Sequence, residues 1–310
     1  MGCHMLAAVE NHAEQPAILE QVPVWFEEWE QALSRFRPGS ELSQLNQSAG
    51  KPFNASPVLW SVYLAALEAE QRSGGFVTPT LLSALEHAGY VHNFETSTAA
   101  TNPSNENGIE IALPDLSPAG WERKDTGEER IITLPGEVRL DFGGVAKGWA
   151  AHQAAWRLNK VGPALVDAGG DIAISRPCAG DLPWSVGVEN PFRPGTDLAV
   201  LHLGRCGVAT SGRDYHRWQQ NGKWMHHIID PRTGYPAETD VLTTTVIAPD
   251  VLQAETAAKT AFILGSQTGI EWLQARPYLA GMLVLEDGGY IYTRNFEDYL
   301  SVEQESLLVN

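Results

Sequence analysis

Cysteine is scarce in this chain: Cys3, Cys178 and Cys206 are the only three in 310 residues, odd in number and far apart. That spacing excludes a disulfide framework and the paired thiols of a zinc site, and it points to a reducing compartment. Basic residues are also in short supply. Lys and Arg total 21 against 38 Asp and Glu, a formal net charge of -17. A surface of that sign repels phosphate backbones and anionic lipid heads, so neither nucleic acid nor membrane is expected as a partner. An anionic ligand must then be held by local donors. No run approaches the roughly 18 apolar residues needed to span a bilayer. The opening MGCHMLAAVENHAEQ has no basic n-region and no sustained apolar h-region, and Cys3 follows no hydrophobic leader. The expectation is a cytoplasmic protein without signal peptide or lipid anchor. Solenoid-type repeats are missing as well.

What is present is an ordinary globular composition, 43% hydrophobic and 19% charged, long enough for one large core or two coupled sub-domains. The first third reads helical: Trp25 to Phe36 by its apolar spacing, then a helix capped by Ser56 with Pro57 at its first position and stopped by Gly74-Gly75, then a short one over Thr80 to His87. From about 91 to 130, Thr, Ser, Asn, Glu and Gly dominate, which reads as a variable surface excursion with one short strand. Strand-like runs follow: IITL, EVRLDF with Val138, Leu140 and Phe142 alternating, ALVDAGGDIAIS as a pair around a Gly turn, then PWSVGVENP, LAVLHL, HHIID and TTTVIAP. Helices are expected over Val145 to Asn159 and Val251 to Leu264, the second stopped by Gly265, and GMLVLEDGGYIYT closes as a hairpin. This order predicts an α+β fold with largely antiparallel sheets.

Several segments could carry chemistry. In LDFGGVAKGWA, a strand runs through Gly143-Gly144 into a helix whose free N–H groups would face an anion. Lys147 sits in its first turn, where a cation opposes the helix dipole, and this misfit suggests a phosphate or carboxylate partner; a plain junction with a solvated Lys is the alternative. In VDAGGDIAIS, Asp167 and Asp171 flank a Gly pair, as a turn capping its own amides or as the wall of a nucleotide pocket. Ala209 to Pro236 gathers Ser211, Asp214, His216, His226, His227, Asp230 and Arg232. Its Asn221-Gly222-Lys223 turn predicts a hairpin, and DPRTGYP a rigid loop holding a His that could act as a base and an Asp that could orient it. Glu255 and Lys259 stand four apart on one helix, the spacing of an ordinary surface pair. Ser40 reads as a cap, and Phe36 as core or as a ring-stacking residue.

Taken in order, SRFRPGSELSQLN, SGGFVTPT, LDFGGVAKGWA, ALVDAGGDI, GVATSG, HHIIDPRTGYP and AETAAKTAFILG, with the starting Met-Gly, make the chain resemble the ApbE family of flavin transferases. These move FMN from FAD onto a Ser or Thr hydroxyl of a target protein. The resemblance covers nearly all of 1–310 apart from about 91–130 and implies a single domain. It implies a tandem-repeat α+β fold of the T-fold type, with FAD in a cleft between the halves. It also assigns positions: Met1 and Phe36 to the flavin or adenine, Phe76, Val77 and Thr78 to an FAD-contacting turn, Gly143 and Lys147 to the pyrophosphate, Ser211 and Ile228 to the cofactor, and Ala146 to a metal through its carbonyl. His227 becomes the base that deprotonates the acceptor, with Asp230 beside it.

The chain departs from the family pattern in three places. The family's Asp-x-x-x-Thr metal pair aligns with Glu255 and Lys259; Glu can ligate Mg²⁺, an ammonium cannot. Phe-Asp-Pro-Thr reads Val77-Thr78-Pro79-Thr80, and the chain is expected to be without the export leader common in the family. These differences leave two further expectations: that Lys259 replaces the metal, and, as the alternative function, that the chain is a non-catalytic FAD-binding protein.

Overall fold

The computed structural model describes residues 4–10, 17–48, 50–91, 122–214, 217–220 and 222–300. Met1, Cys3, His216, Asn221 and most of the expected excursion therefore lie outside the described residues. In chain order, β1 (Met5–Val9) precedes four helices: α1 (Val22–Leu33), α2 (Glu41–Gln47), α3 (Pro57–Ser73) and α4 (Leu82–His87). The short β2 (Phe53–Asn54) lies between α2 and α3. After β3 (Glu122–Asp125) and β4 (Arg130–Thr133) comes α5 (Ala146–Leu158). The strands β5 (Ala164–Ala168), β6 (Asp171–Ile174), β7 (Trp184–Glu189), β8 (Asp197–Leu203) and β9 (Gly207–Gly212) follow. The hairpin β10 (Arg217–Gln220) and β11 (Lys223–His226), the pair β12 (Ile229–Asp230) and β13 (Tyr235–Pro236), then β14 (Val241–Ala248) lead into α6 (Val251–Gln274). The last strands are β15 (Ala280–Leu285) and β16 (Tyr290–Tyr292).

Two compact units result. The first holds residues 24–146 and 215–237, with α2, α3, α4, the antiparallel sheet β2-β4-β3 and the small strands β10 to β13. The second holds residues 3–23, 147–214 and 238–310 and is built on a seven-stranded sheet, β1-β5-β6-β9-β14-β15-β16, antiparallel at every pairing. One face of that sheet, with Leu165, Ile174, Val208, Ile247 and Met282, packs on the β7–β8 ribbon through Val186, Val188 and Leu201. α6 runs across β14 and β9. Gly207 permits this approach, because a Cβ there would stand 2.0 Å from the Val251 nitrogen.

Local chemistry sets the helix starts. Ser40, Ser56 and Asp250 each accept an N–H from three residues on, and Gly74, at φ 68°, ends α3 in the left-handed region. Gly265, at φ 78°, stops the helical path after Leu264 as expected, and a second helical stretch continues α6 to Gln274. Two expectations need correction. α1 closes at Leu33, short of Phe36. EVRLDF forms no strand, although Val138, Leu140 and Phe142 are all buried as the alternation requires. The side-chain amide of Asn46 takes the place of a neighbouring strand: it accepts from the Leu140 N–H at 2.7 Å and donates to the Leu140 carbonyl at 2.9 Å. Backbone groups in a buried segment must be satisfied, and here one side chain satisfies both.

Candidate functional site

In the second unit, charge collects where the first turn of α5, the start of β6 and α6 meet. Gly169 and Gly170, at φ 71° and 90°, turn β5 into β6, and Asp167 Oδ1 accepts from the Gly170 N–H at 2.7 Å. Burial raises the Asp167 acid above its usual range. That turn delivers Asp171, whose Oδ2 is ion-paired with Lys147 Nζ. The cation in the first turn of α5 thus has a carboxylate partner, as its unfavourable helix position suggested. Asp171 is 1% exposed and its Oδ1 accepts no hydrogen bond.

Glu255 is fully buried, which corrects the expectation of an ordinary surface pair. Its Oε1 accepts from Lys259 Nζ at 2.8 Å and its Oε2 from the Gly148 N–H at 3.2 Å. Burial pushes its pKa up to about 7; the Asp171 charge adds to the rise, and Lys259 and Lys147 oppose it. Two ammoniums and two carboxylates therefore share one electrostatic neighbourhood. Ser211 lies buried on β9 opposite Thr244 of β14. Among the described residues, no group of three or more His, Cys, Asp or Glu is arranged to hold a metal ion.

The first unit holds the remaining positions. Arg35 is the centre of an arrangement the sequence did not disclose. Its Nε lies 2.8 Å from Asp141 Oδ2, its Nη2 donates to the Tyr90 carbonyl at 2.6 Å, and its guanidinium sits 4.1 Å from the Phe36 ring centroid and 4.7 Å from that of Tyr90. Tyr90 stacks on Trp218 at 5.7 Å, and its centroid is 6.4 Å from that of His227. Phe36 also meets the Tyr90 ring edge to face, with centroids 5.5 Å apart. Gly143 belongs to the same network: its N–H donates to Asp141 Oδ1 at 2.8 Å, and a Cβ would come within 2.8 Å of that oxygen.

The histidine loop is fixed from both sides. His226 Nδ1 accepts from the Ile228 N–H at 3.3 Å, so its proton belongs on Nε2, which lies 3.1 Å from the Ala237 carbonyl. Ile229 packs with Ala84, Leu85 and Ala88. Both oxygens of Asp230 are taken by Arg232, through Nε at 2.9 Å and Nη2 at 2.7 Å. Asp230 therefore braces its own loop. Arg232 in turn lies 5.1 Å from the Phe76 centroid. Beside Phe76, the Val77 N–H donates to Ser73 Oγ at 2.9 Å and Thr78 Oγ1 donates to Glu70 Oε2 at 2.7 Å. Asp141, Tyr90 and Trp218 escaped sequence reasoning along with Arg35. Arg35, Asp141 and Trp218 each lie in a stretch singled out for other residues.

The family model for the ApbE family matches residues 1–283. The chain belongs to the ApbE family. An ApbE relative from Treponema pallidum, named FAD:protein FMN transferase, is 29% identical, the alignment covering 89% of this chain and 79% of that protein. One of the same name from Haemophilus influenzae is 26% identical, over 91% and 80%. The crystal structure of the ApbE protein from Thermotoga maritima superposes with a TM-score of 0.79 at 27% identity, covering 95% of this chain and 94% of that one. The mixed helical and antiparallel-sheet architecture expected for the chain is thus that of ApbE structures.

Proposed function

We propose that the chain transfers FMN from FAD to a Ser or Thr hydroxyl of a target protein and releases AMP. When water replaces the acceptor, the same chemistry hydrolyses FAD to FMN and AMP. Membership of the ApbE family over residues 1–283 carries this reading, and the relatives' shared name supports it. The chain is then one functional domain, with about 91–130 variable. No helix among the described residues is long and apolar enough to cross a membrane; the scarce, widely spaced cysteines support a cytoplasmic location.

The roles follow from the family resemblance, taken unit by unit. Lys147, fixed by Asp171, offers a cation to the diphosphate, with Ser211 nearby in the sheet. Phe36 contacts the flavin or adenine, as Met1 does by resemblance; Phe76, Val77, Thr78 and Ile228 contact FAD, and Gly143 lets ligand approach the backbone. His227 takes the hydroxyl proton as its oxygen attacks the FMN phosphorus; the new P–O bond forms as the bond to AMP breaks. Asp230 keeps the histidine loop in place.

Magnesium at Ala146 and Glu255 does not fit the residues present. Both oxygens of Glu255 are engaged, one by an ammonium at 2.8 Å, and that ammonium would repel a divalent ion. The same pair favours the second reading, an FAD-binding protein that does not turn over. Incubation with FAD, with and without divalent metal, followed by chromatography for AMP, separates the two. AMP release that His227→Ala abolishes while flavin stays bound is the expected result. Bound flavin without AMP from the wild-type chain overturns catalysis and leaves the binding reading.

A further inference from the structure

We infer that Lys259 is a built-in cation, so that the chain binds the diphosphate of FAD without a divalent metal ion. The inference rests on the FAD reading above and deepens it. Lys259 and Glu255 lie one turn apart on α6, and the pair is inside the protein rather than on its surface. Glu255 has no exposed surface, whereas the Lys259 side chain keeps 15%. Lys259 is therefore the member of the pair that keeps contact with the surface. A buried carboxylate with an open oxygen would invite a metal, but Gly148 N–H closes the second oxygen. That contact depends on glycine, because a Cβ at 148 would lie 2.5 Å from Glu255 Oε2.

The neighbouring acid offers no substitute cage. Asp171 has one oxygen on Lys147 and a single acceptor, Oδ1, left over. Magnesium requires near-octahedral oxygen ligation, and one carboxylate oxygen beside an ammonium falls far short of it. That oxygen suits a water or a ligand hydroxyl. What the cluster does present is two lysines, Lys147 from α5 and Lys259 from α6, each oriented by its own carboxylate. Pinned ammoniums lose little freedom when an anion arrives, which favours binding. A single positive charge stabilises a phosphoryl transition state less than a divalent ion does, so tight binding and slow transfer go together.

The test is FAD affinity of the full chain by titration calorimetry, in EDTA and in millimolar MgCl₂. The wild-type Kd is expected to stay within about twofold between the two buffers, an energy difference below about 0.5 kcal/mol. Lys259→Met should weaken binding in EDTA by about tenfold or more, and Lys259→Arg should retain it, the usual effect of removing or keeping one charged contact. Wild-type affinity that rises tenfold or more with Mg²⁺ overturns the inference and leaves FAD binding intact. So does a folded Lys259→Met chain that binds as tightly as wild type. No affinity for FAD in either buffer removes the FAD reading itself and this inference with it. If Lys259→Met fails to fold, the comparison of the two buffers on the wild-type chain still decides.

Discussion

Replacing Gly148 by Ala sets two physical effects of opposite sign against each other. Gly148 lies in the first turn of α5, and helix propensity alone makes Ala there more stable by about 1 kcal/mol. The surroundings demand the reverse. The new Cβ would stand 2.5 Å from Glu255 Oε2, 3.5 Å from its Cδ and 3.5 Å from Val251 Cγ2. Glu255 cannot swing into solvent, because it is fully buried and tied to Lys259 at 2.8 Å. Overpacking of a filled site costs about 1–3 kcal/mol, and disturbing a hydrogen bond to a buried carboxylate costs about 1.5–3 kcal/mol. After the propensity gain is subtracted, a net loss of roughly 3 kcal/mol remains. At about 2–4 °C per kcal/mol for large domains, the melting temperature should fall by roughly 6–12 °C. Gly39→Ala, with no atom within 4 Å of its added Cβ, is the control and should melt close to wild type. Thermal melts by circular dichroism read both. A Gly148→Ala chain that melts at or above wild type refutes the account of the Glu255 site.

The pH dependence of stability should carry a signature of Glu255. Its folded pKa, about 7, lies above the ordinary 4.5, so the folded state holds the proton more tightly. The contribution is full below pH 4.5 and is lost as pH rises through about 7. Glu255→Gln should flatten that part of the profile, and a wild-type-minus-variant difference that is constant across the window contradicts it. Arg35→Met leaves Asp141 without its cation and should cost about 2–4 kcal/mol in urea unfolding; a shift below about 1 kcal/mol would mean that the guanidinium does not hold the aromatic cluster together. Cys206, whose thiol burial pushes up to about 12, should resist a thiol reagent at pH 8 in the native chain and react on unfolding. Rapid native labelling of Cys206 goes against that burial.

Local rules were enough for the parts of the fold whose determinants are close in sequence. Ser56-Pro57 and Gly74 bound α3 because caps act within a single turn, and the glycine pair at 169–170 folds β5 onto β6 for the same reason. Lys147 was legible through a local conflict, a cation at the wrong end of a helix, and Asp171 resolves it 24 residues away. The Glu255–Lys259 spacing was equally plain, yet spacing says nothing about depth, and the burial that makes the pair consequential comes from β9, β14 and α5. Arg35 was opaque because its partners, Tyr90 and Asp141, are distant in sequence and one of the contacts is to a backbone carbonyl. Alternation identified the buried face of Glu137 to Phe142 correctly but could not supply an adjacent strand.

The amide of Asn46 has an implication for how that stretch tolerates change. Its two contacts terminate on main-chain atoms of residue 140, so no exchange of the leucine for another side chain can repair the loss of the asparagine. Asp in its place keeps only the acceptor, and Leu, though similar in volume, keeps neither. Position 46 therefore answers to the path of a distant segment and not to the identity of any residue in it.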